Sequence, residues 1–268
     1  MSARARVWII VGVAALAAAG TAVGVTLATR TDVHRQAGKP PPFAPDPTAR
    51  PEVEQQVREA LQAWPAGTVR RLRILAARYP GSALVRLELG LALAFSGQQS
   101  DATRAWREAE QVQPDSPSAV RAQDLRHPSS APGLPPFVPS FVRATSPVEA
   151  HLLRGAGYQQ ALRPVSAERE FRAAARLAPN DPEALTAAAV GLYDKDRPAL
   201  AFSHLGPLAQ RFPRAQTVRF HLGLLLLWIG QVDKARNELQ QARGEAPKSP
   251  LGRQAAAYLD VLAKVGTR

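Results

Sequence analysis

Residues 83–116 read ALVRLELGLALAFSGQQSDATRAWREAEQVQPDS, and residues 216–249 read QTVRFHLGLLLLWIGQVDKARNELQQARGEAPKS. Laid over each other at a shift of 133, Val85-Arg86 falls on Val218-Arg219, Leu89-Gly90-Leu91 on Leu222-Gly223-Leu224, and Gly97-Gln98 on Gly230-Gln231. Ala102 then meets Ala235, Ala109 meets Ala242 and Pro114 meets Pro247. Upstream, Ala76, Arg78, Tyr79 and Pro80 face Ala209, Arg211, Phe212 and Pro213. Composition alone does not sustain matches at one shift over this length, so the chain carries an internal duplication. Its apolar mass is mainly Ala and Leu, with aromatics only 6%, which favours helix over strand.

Within these blocks the spacing resembles that of the tetratricopeptide repeat, a 34-residue helical hairpin. In 83–116 the repeat's places hold Leu89, Gly90, Leu93, Ala102, Trp106, Ala109 and Pro114. In 148–181 they hold Gly155, Tyr158, Ala167, Phe171, Ala174 and Pro179, with Arg154 in place of the Leu. In 216–249 they hold Leu222, Gly223, Leu226, Ala235, Leu239, Ala242 and Pro247. Residues 182–215 match more weakly, through Leu185, Leu192, Ala201, Leu205 and Pro213, and 49–82 more weakly still, through Leu72, Leu75 and Pro80. Arg86, His151 and Arg219 stand where the family commonly has Trp. The small residues suit close helix crossings, Trp106, Phe171 and Leu239 fill space between hairpins, and the prolines end helices. Asp115, Asp181 and Ser249 are placed to cap the helices that follow. A single hairpin cannot bury its apolar face, so stacked neighbours are required, and Leu251–Val265 reads as a closing helix.

The predicted fold is therefore all-α: a tetratricopeptide-like helical-hairpin solenoid preceded by a single transmembrane helix. From Val7 to Ala28 no residue is charged, and a helix of that length rises about 33 Å, enough to cross a hydrocarbon core. The run outlasts the apolar core of a secretory signal, although Ala17-Ala18-Ala19 offers small residues for a cut. Arg4 and Arg6 favour a cytoplasmic N-terminus, whereas Arg30, Arg35 and Lys39 pull the other way. The expectation is a single-pass anchor over residues 1–29 with the rest outside the cytoplasmic membrane. Residues 30–50, with prolines at 40, 41, 42, 45 and 47, read as an extended spacer. A first helical array is expected over 51–116, a Pro-rich insertion over 117–147, and a second array with its capping helix over 148–268.

The insertion interrupts the register. Residues 118–126 suit a first helix, but Pro128, Pro132, Pro135, Pro136 and Pro139 forbid its partner. The apolar run from Leu134 to Val142 is either a loop packed over the solenoid or an internal peptide that occupies, and so regulates, the concave surface.

The net charge is +12, from 34 Lys plus Arg against 22 Asp plus Glu. Nearly all the basic residues are Arg, which together with the Ala, Pro and Gly content points to a GC-rich bacterial genome. No dense basic run is interleaved with aromatics, so nucleic acid is an unexpected partner. The absence of cysteine removes disulfides, thiolate chemistry and a lipid-modified cysteine anchor. The five histidines, His34, His127, His151, His204 and His221, show no helical zinc spacing, and no phosphate loop or nucleophile elbow occurs. Asp194-Lys195-Asp196 falls at a predicted turn rather than in a calcium loop. Neither an enzyme, a cofactor nor a metal site is expected.

The resemblance implies that first helices line a concave face that binds protein or peptide. In this frame the face holds Leu84, Leu87 and Leu91, then Leu152, Ala156 and Gln159, then Thr186, Val190 and Tyr193, then Phe220, Leu224 and Leu227. Arg86, Arg154 and Arg219 edge it and would suit acidic residues on an amphipathic helix or extended peptide. The leading expectation is a non-enzymatic scaffold in a bacterial envelope assembly. Alternatives are an assembly factor resembling the membrane-anchored tetratricopeptide modules of cytochrome c maturation, and a cationic binder of an anionic polymer or lipid surface.

Overall fold

A computed structural model describes residues 40–266. Twelve helices and no strand occur among these residues: α1 (Pro51–Leu61), α2 (Thr68–Arg78), α3 (Ala83–Phe95), α4 (Gln99–Val112), α5 (Pro117–Arg126), α6 (Pro147–Gln160), α7 (Pro164–Leu177), α8 (Pro182–Gly191), α9 (Ala199–Arg211), α10 (Gln216–Trp228), α11 (Val232–Glu245) and α12 (Pro250–Gly266). None of them is long and apolar enough to cross a membrane. The apolar segment Val7–Ala28 lies outside the described residues.

The chain divides into two compact units at Pro128/Ser129. The first holds α1–α5 and the second α6–α12, so the Pro-rich stretch 117–147 is shared between them: α5 belongs to one unit, residues 129–146 to the other. In the first unit, α1/α2 and α3/α4 are hairpins, and α5 packs on both α3 and α4. In the second, α6/α7, α8/α9 and α10/α11 are hairpins, and α12 packs on α10 and α11.

Helix boundaries follow from local chemistry. Proline at the first helical turn opens α5, α6 and α8, where its missing N–H costs nothing. The Ser146 and Asp181 side chains cap α6 and α8 by accepting the N–H of Glu149 and Glu183. Ser249 accepts from Gly252 at the start of α12. At α5 the cap is Ser116, not the Asp115 that the sequence suggests, because the Ser116 oxygen reaches the Ala119 N–H. The α3/α4 and α10/α11 turns pass through Gly97 and Gly230 at φ near 79° and 78°, the left-handed region glycine enters freely. The same place in the α6/α7 hairpin is Leu162, held at φ 54°.

Three of the hairpins close on a glycine. A Cβ added at Gly90 would lie 2.3 Å from Trp106 Nε1, at Gly155 2.3 Å from the Phe171 ring, and at Gly223 2.8 Å from Leu239. These contacts join the first helix of each hairpin to the large residue of its second, and Trp106, Phe171 and Leu239 are all buried there. By contrast Gly157, two residues beyond Gly155 on α6, faces open space.

This contrast sets a paired expectation. Gly155→Ala should destabilise the chain by about 1–3 kcal/mol through overpacking. Gly157→Ala should stabilise it by up to about 1 kcal/mol through helix propensity. Urea unfolding of the two variants measures both, and equal effects would contradict the packing described.

Candidate functional site

The first helices α6, α8 and α10 of the second unit carry an extended strand of the chain's own Pro-rich segment. Between Pro135 and Ser140 three residues, Pro135, Pro136 and Pro139, have no N–H to place. The other three N–H groups are each received by a side chain. Phe137 donates to Gln159 Oε1 at 2.7 Å, Val138 to His221 Nε2 at 2.9 Å, and Ser140 to Glu183 Oε1 at 2.6 Å. Gln159 also returns an Nε2–H to the Pro135 carbonyl at 3.3 Å, so its carboxamide brackets the strand on donor and acceptor alike. Ser140 Oγ adds a bond to Glu183 Oε2.

The strand is anchored by the Phe137 ring, which is 3% exposed. It stacks on His221 with centroids 4.9 Å apart and meets Phe171 edge-on at 5.2 Å. Pro135 and Leu134 line a narrow cleft with Gln159, Val190 and Tyr193. Thus residues 134–140 of the apolar run lie on the face made by first helices, and the three N–H groups between Pro135 and Ser140 are paired there.

His221 is fully buried, and its hydrogen bonds fix its state. Nδ1 lies 2.7 Å from the Thr217 carbonyl and must donate, so Nε2 carries a lone pair that accepts from Val138. Burial lowers its pKa to about 4, against a smaller opposing effect of the Thr217 carbonyl. Protonation would set an N–H of the ring against the N–H of Val138. At Glu183, burial raises the carboxyl above its ordinary range and outweighs the Ser140 hydrogen bonds, with Asp181 and Glu149 adding like charge.

The first unit repeats one bond of this arrangement with a different acceptor. Residues 41–48 pack on α3 and α5 rather than standing clear as the spacer their proline content suggests; Ala44 and Asp46 are buried. The Ala44 N–H donates to Glu88 Oε1 at 2.9 Å, and Asp46 Oδ2 accepts from the Ser118 N–H and hydroxyl. Phe43 packs against the unit's core beneath the Arg58 guanidinium, 3.9 Å above its ring. Glu88 and His221 occupy the same place in the internal duplication, 133 positions apart. The strands match as well: Pro41-Pro42-Phe43-Ala44-Pro45 and Pro135-Pro136-Phe137-Val138-Pro139 share Pro-Pro-Phe-x-Pro, 94 positions apart. The fourth residue of each motif donates its N–H to the duplicated position.

Glu88 has no exposed surface, and burial raises its pKa to about 8, against the lowering effects of the Ala44 N–H and of Arg121 and Arg58. Its Oε2 has no hydrogen-bond partner. Burial thus favours the neutral carboxylic acid at this position, as it favours the neutral imidazole that replaces it in the second unit.

The residues expected to line the apolar face are buried. Leu84, Leu87 and Leu91 in the first unit and Leu152, Thr186, Tyr193, Phe220, Leu224 and Leu227 in the second are all less than 9% exposed. Gln159, from the same set, is the one whose side chain grips the strand. The basic edge is paired within its own hairpins: Arg86 with Glu108, Arg154 with Glu170, and Arg219 with Glu238, at 3.3, 3.0 and 3.1 Å. His151 joins Glu170 at 2.8 Å. Burial alone would push Glu170 up, but hydrogen bonds from His151 and Arg154 outweigh it and hold the carboxyl below its usual range. These pairs explain how Arg86, His151 and Arg219 fill the place of a Trp: Arg86 and Arg219 tie the first helix to the second by charge, and His151 does so by a hydrogen bond to Glu170. Among the described residues no group of three His, Asp or Glu is placed to hold a metal ion. Glu88, Glu183 and the motif itself escape a reading of helical period, although the recurrence of Pro-Pro-Phe-x-Pro is visible in the sequence.

The two buried acceptors give the units opposite pH responses. Glu88 has a folded pKa raised from 4.5 to about 8, so its stabilising contribution is complete below about 4.5 and is lost as pH rises towards 8. His221 has a folded pKa lowered from 6.5 to about 4, so its contribution is complete above about 6.5 and is lost as pH falls towards 4. Glu88→Gln keeps an acceptor for Ala44 and does not ionise. In urea unfolding between pH 5 and 8 it should remove the loss of stability seen on the alkaline side; an unchanged slope would assign that loss elsewhere.

The family model described as Tetratricopeptide repeat matches residues 192–259, from the end of α8 into α12. No curated protein matches the chain. The match supports a tetratricopeptide protein, and the all-helical hairpins of the described residues agree with that solenoid class.

Proposed function

We propose that the chain is a membrane-anchored, non-enzymatic scaffold that holds protein partners in a bacterial envelope assembly. Tetratricopeptide repeats are in general protein-interaction modules, which supports the holding role. The observation that carries it is the strand on the second unit: its first helices present side chains that receive extended backbone, as a peptide-binding surface must. The uncharged run from Val7 to Ala28 supports the anchor, and Arg4 and Arg6 support an extracytoplasmic repeat region. A binding role driven by net positive charge finds less support, because Arg86, Arg154 and Arg219 are each paired with a glutamate.

Two measurements test this function. The full chain should stay in the pellet of carbonate-washed membranes, and a chain lacking residues 1–29 should leave it; retention of the truncated chain would remove the anchor. Affinity capture from detergent-solubilised membranes should return specific envelope proteins. An eluate holding only chaperones would remove the scaffold.

A further inference from the structure

We propose that the first-helix face of the second unit is a binding site for an extended Pro-Pro-Phe-aliphatic-Pro segment of a partner protein, which residues 135–139 fill in cis. This rests on the scaffold reading and names the chemistry of its ligand.

The ligand is defined by its recurrence. The same five-residue pattern meets two separate helical arrays, and in both the fourth residue donates its N–H to the same duplicated position. The flanking sequences differ, with Asp46 and Ser140 at the matching place, and so do the acceptors, Glu88 and His221. What is common is therefore the motif and the hydrogen bond that receives the N–H of its fourth residue. A segment that works in two sequence contexts is recognised for its own chemistry.

The second unit's site is built for extended backbone. Gln159 and His221 are buried polar side chains whose hydrogen bonds to the strand are to its main chain. Without a strand, the carboxamide of Gln159 and the Nε2 lone pair of His221 would lose these partners, a cost that either the cis segment or a partner removes. Prolines suit this site because they bring no further N–H groups into an apolar cleft, and they are already ordered in the extended form. The ring of Phe137 selects for an aromatic third residue through His221 and Phe171.

Residues 142–145 beyond the cis segment are exposed, with Val142 at 86%. Tethered within the chain, it competes at an effective concentration on the order of millimolar, so a partner must bind tightly or arrive with the segment weakened. In this form the site is occupied by default and opens to a stronger copy of the same motif.

The test uses a fluorescent peptide of sequence LPPFVPSFV and the full chain in detergent. Phe137→Ala removes the ring that holds the cis segment and leaves its receivers intact. The variant should bind the peptide at least tenfold more tightly than wild type. Peptides with Ala for the Phe, or Pro for the first Val, should lose at least tenfold on the same variant. A variant that keeps its helical circular dichroism and does not bind the peptide overturns the site. Loss of helix in Phe137→Ala overturns it too, because the segment is then core and not ligand. If wild type instead forms a concentration-dependent dimer that Phe137→Ala abolishes, the occupant is a second copy and the partner proposal falls. Absence of peptide binding together with specific partners in the membrane capture would remove this site and leave the scaffold standing.

Discussion

An apolar helical face and an unpaired backbone N–H impose opposite demands, and both arrays meet them with one device. Few hairpins leave the first-helix side of a solenoid without a second layer, and a strand laid over that side excludes water from it. A strand, however, brings main-chain donors into a place with little water, where leaving them unpaired is costly. In the second unit proline removes half of the donors between residues 135 and 140, and Gln159, His221 and Glu183 receive the others. The burial of Phe137 depends on this accounting, since its ring cannot descend onto His221 and Phe171 without bringing its own N–H with it.

The duplicated acceptor position shows how two different side chains satisfy one requirement. Glu88 and His221 are both buried, both accept from the fourth residue of the motif, and burial favours the neutral form of each. Neutrality is what the position demands, because a buried charge there would lack a counterion in direct contact. The carboxyl reaches it by holding its proton and the imidazole by refusing a second. Similar logic governs the basic residues at the family's Trp place, where Arg86, His151 and Arg219 are each matched to a glutamate on the next helix.

Much of the fold is legible in the sequence because hairpin packing is local and periodic. Gly90, Gly155 and Gly223 announce close crossings, and Trp106, Phe171 and Leu239 stand at a fixed distance from them. Residues 118–126 suit a first helix, and α5 forms there despite the prolines that follow. The strands are harder to read for a physical reason. Proline in 41–48 and 134–142 blocks helix and sheet, so composition suggests a spacer for the first and, for the second, either a packed loop or a peptide on the concave surface; the same lack of an N–H is what lets a chain lie in a dry cleft. Their recurrence also runs at 94 positions, not at the 133 of the helices, so a search tuned to the hairpins passes over it. The basic edge misleads because charge counted along a chain does not reveal that Glu108, Glu170 and Glu238 lie across the hairpin.

The central claim is that two Pro-Pro-Phe-x-Pro strands are seated on their arrays through one equivalent main-chain hydrogen bond. Amide hydrogen exchange of the full chain, resolved at Ala44 and Val138, measures those bonds directly. Both amides should be protected to the level of neighbouring helical amides in α3 and α10. Exchange of either at the rate of the exposed residues 142–145 would contradict the claim.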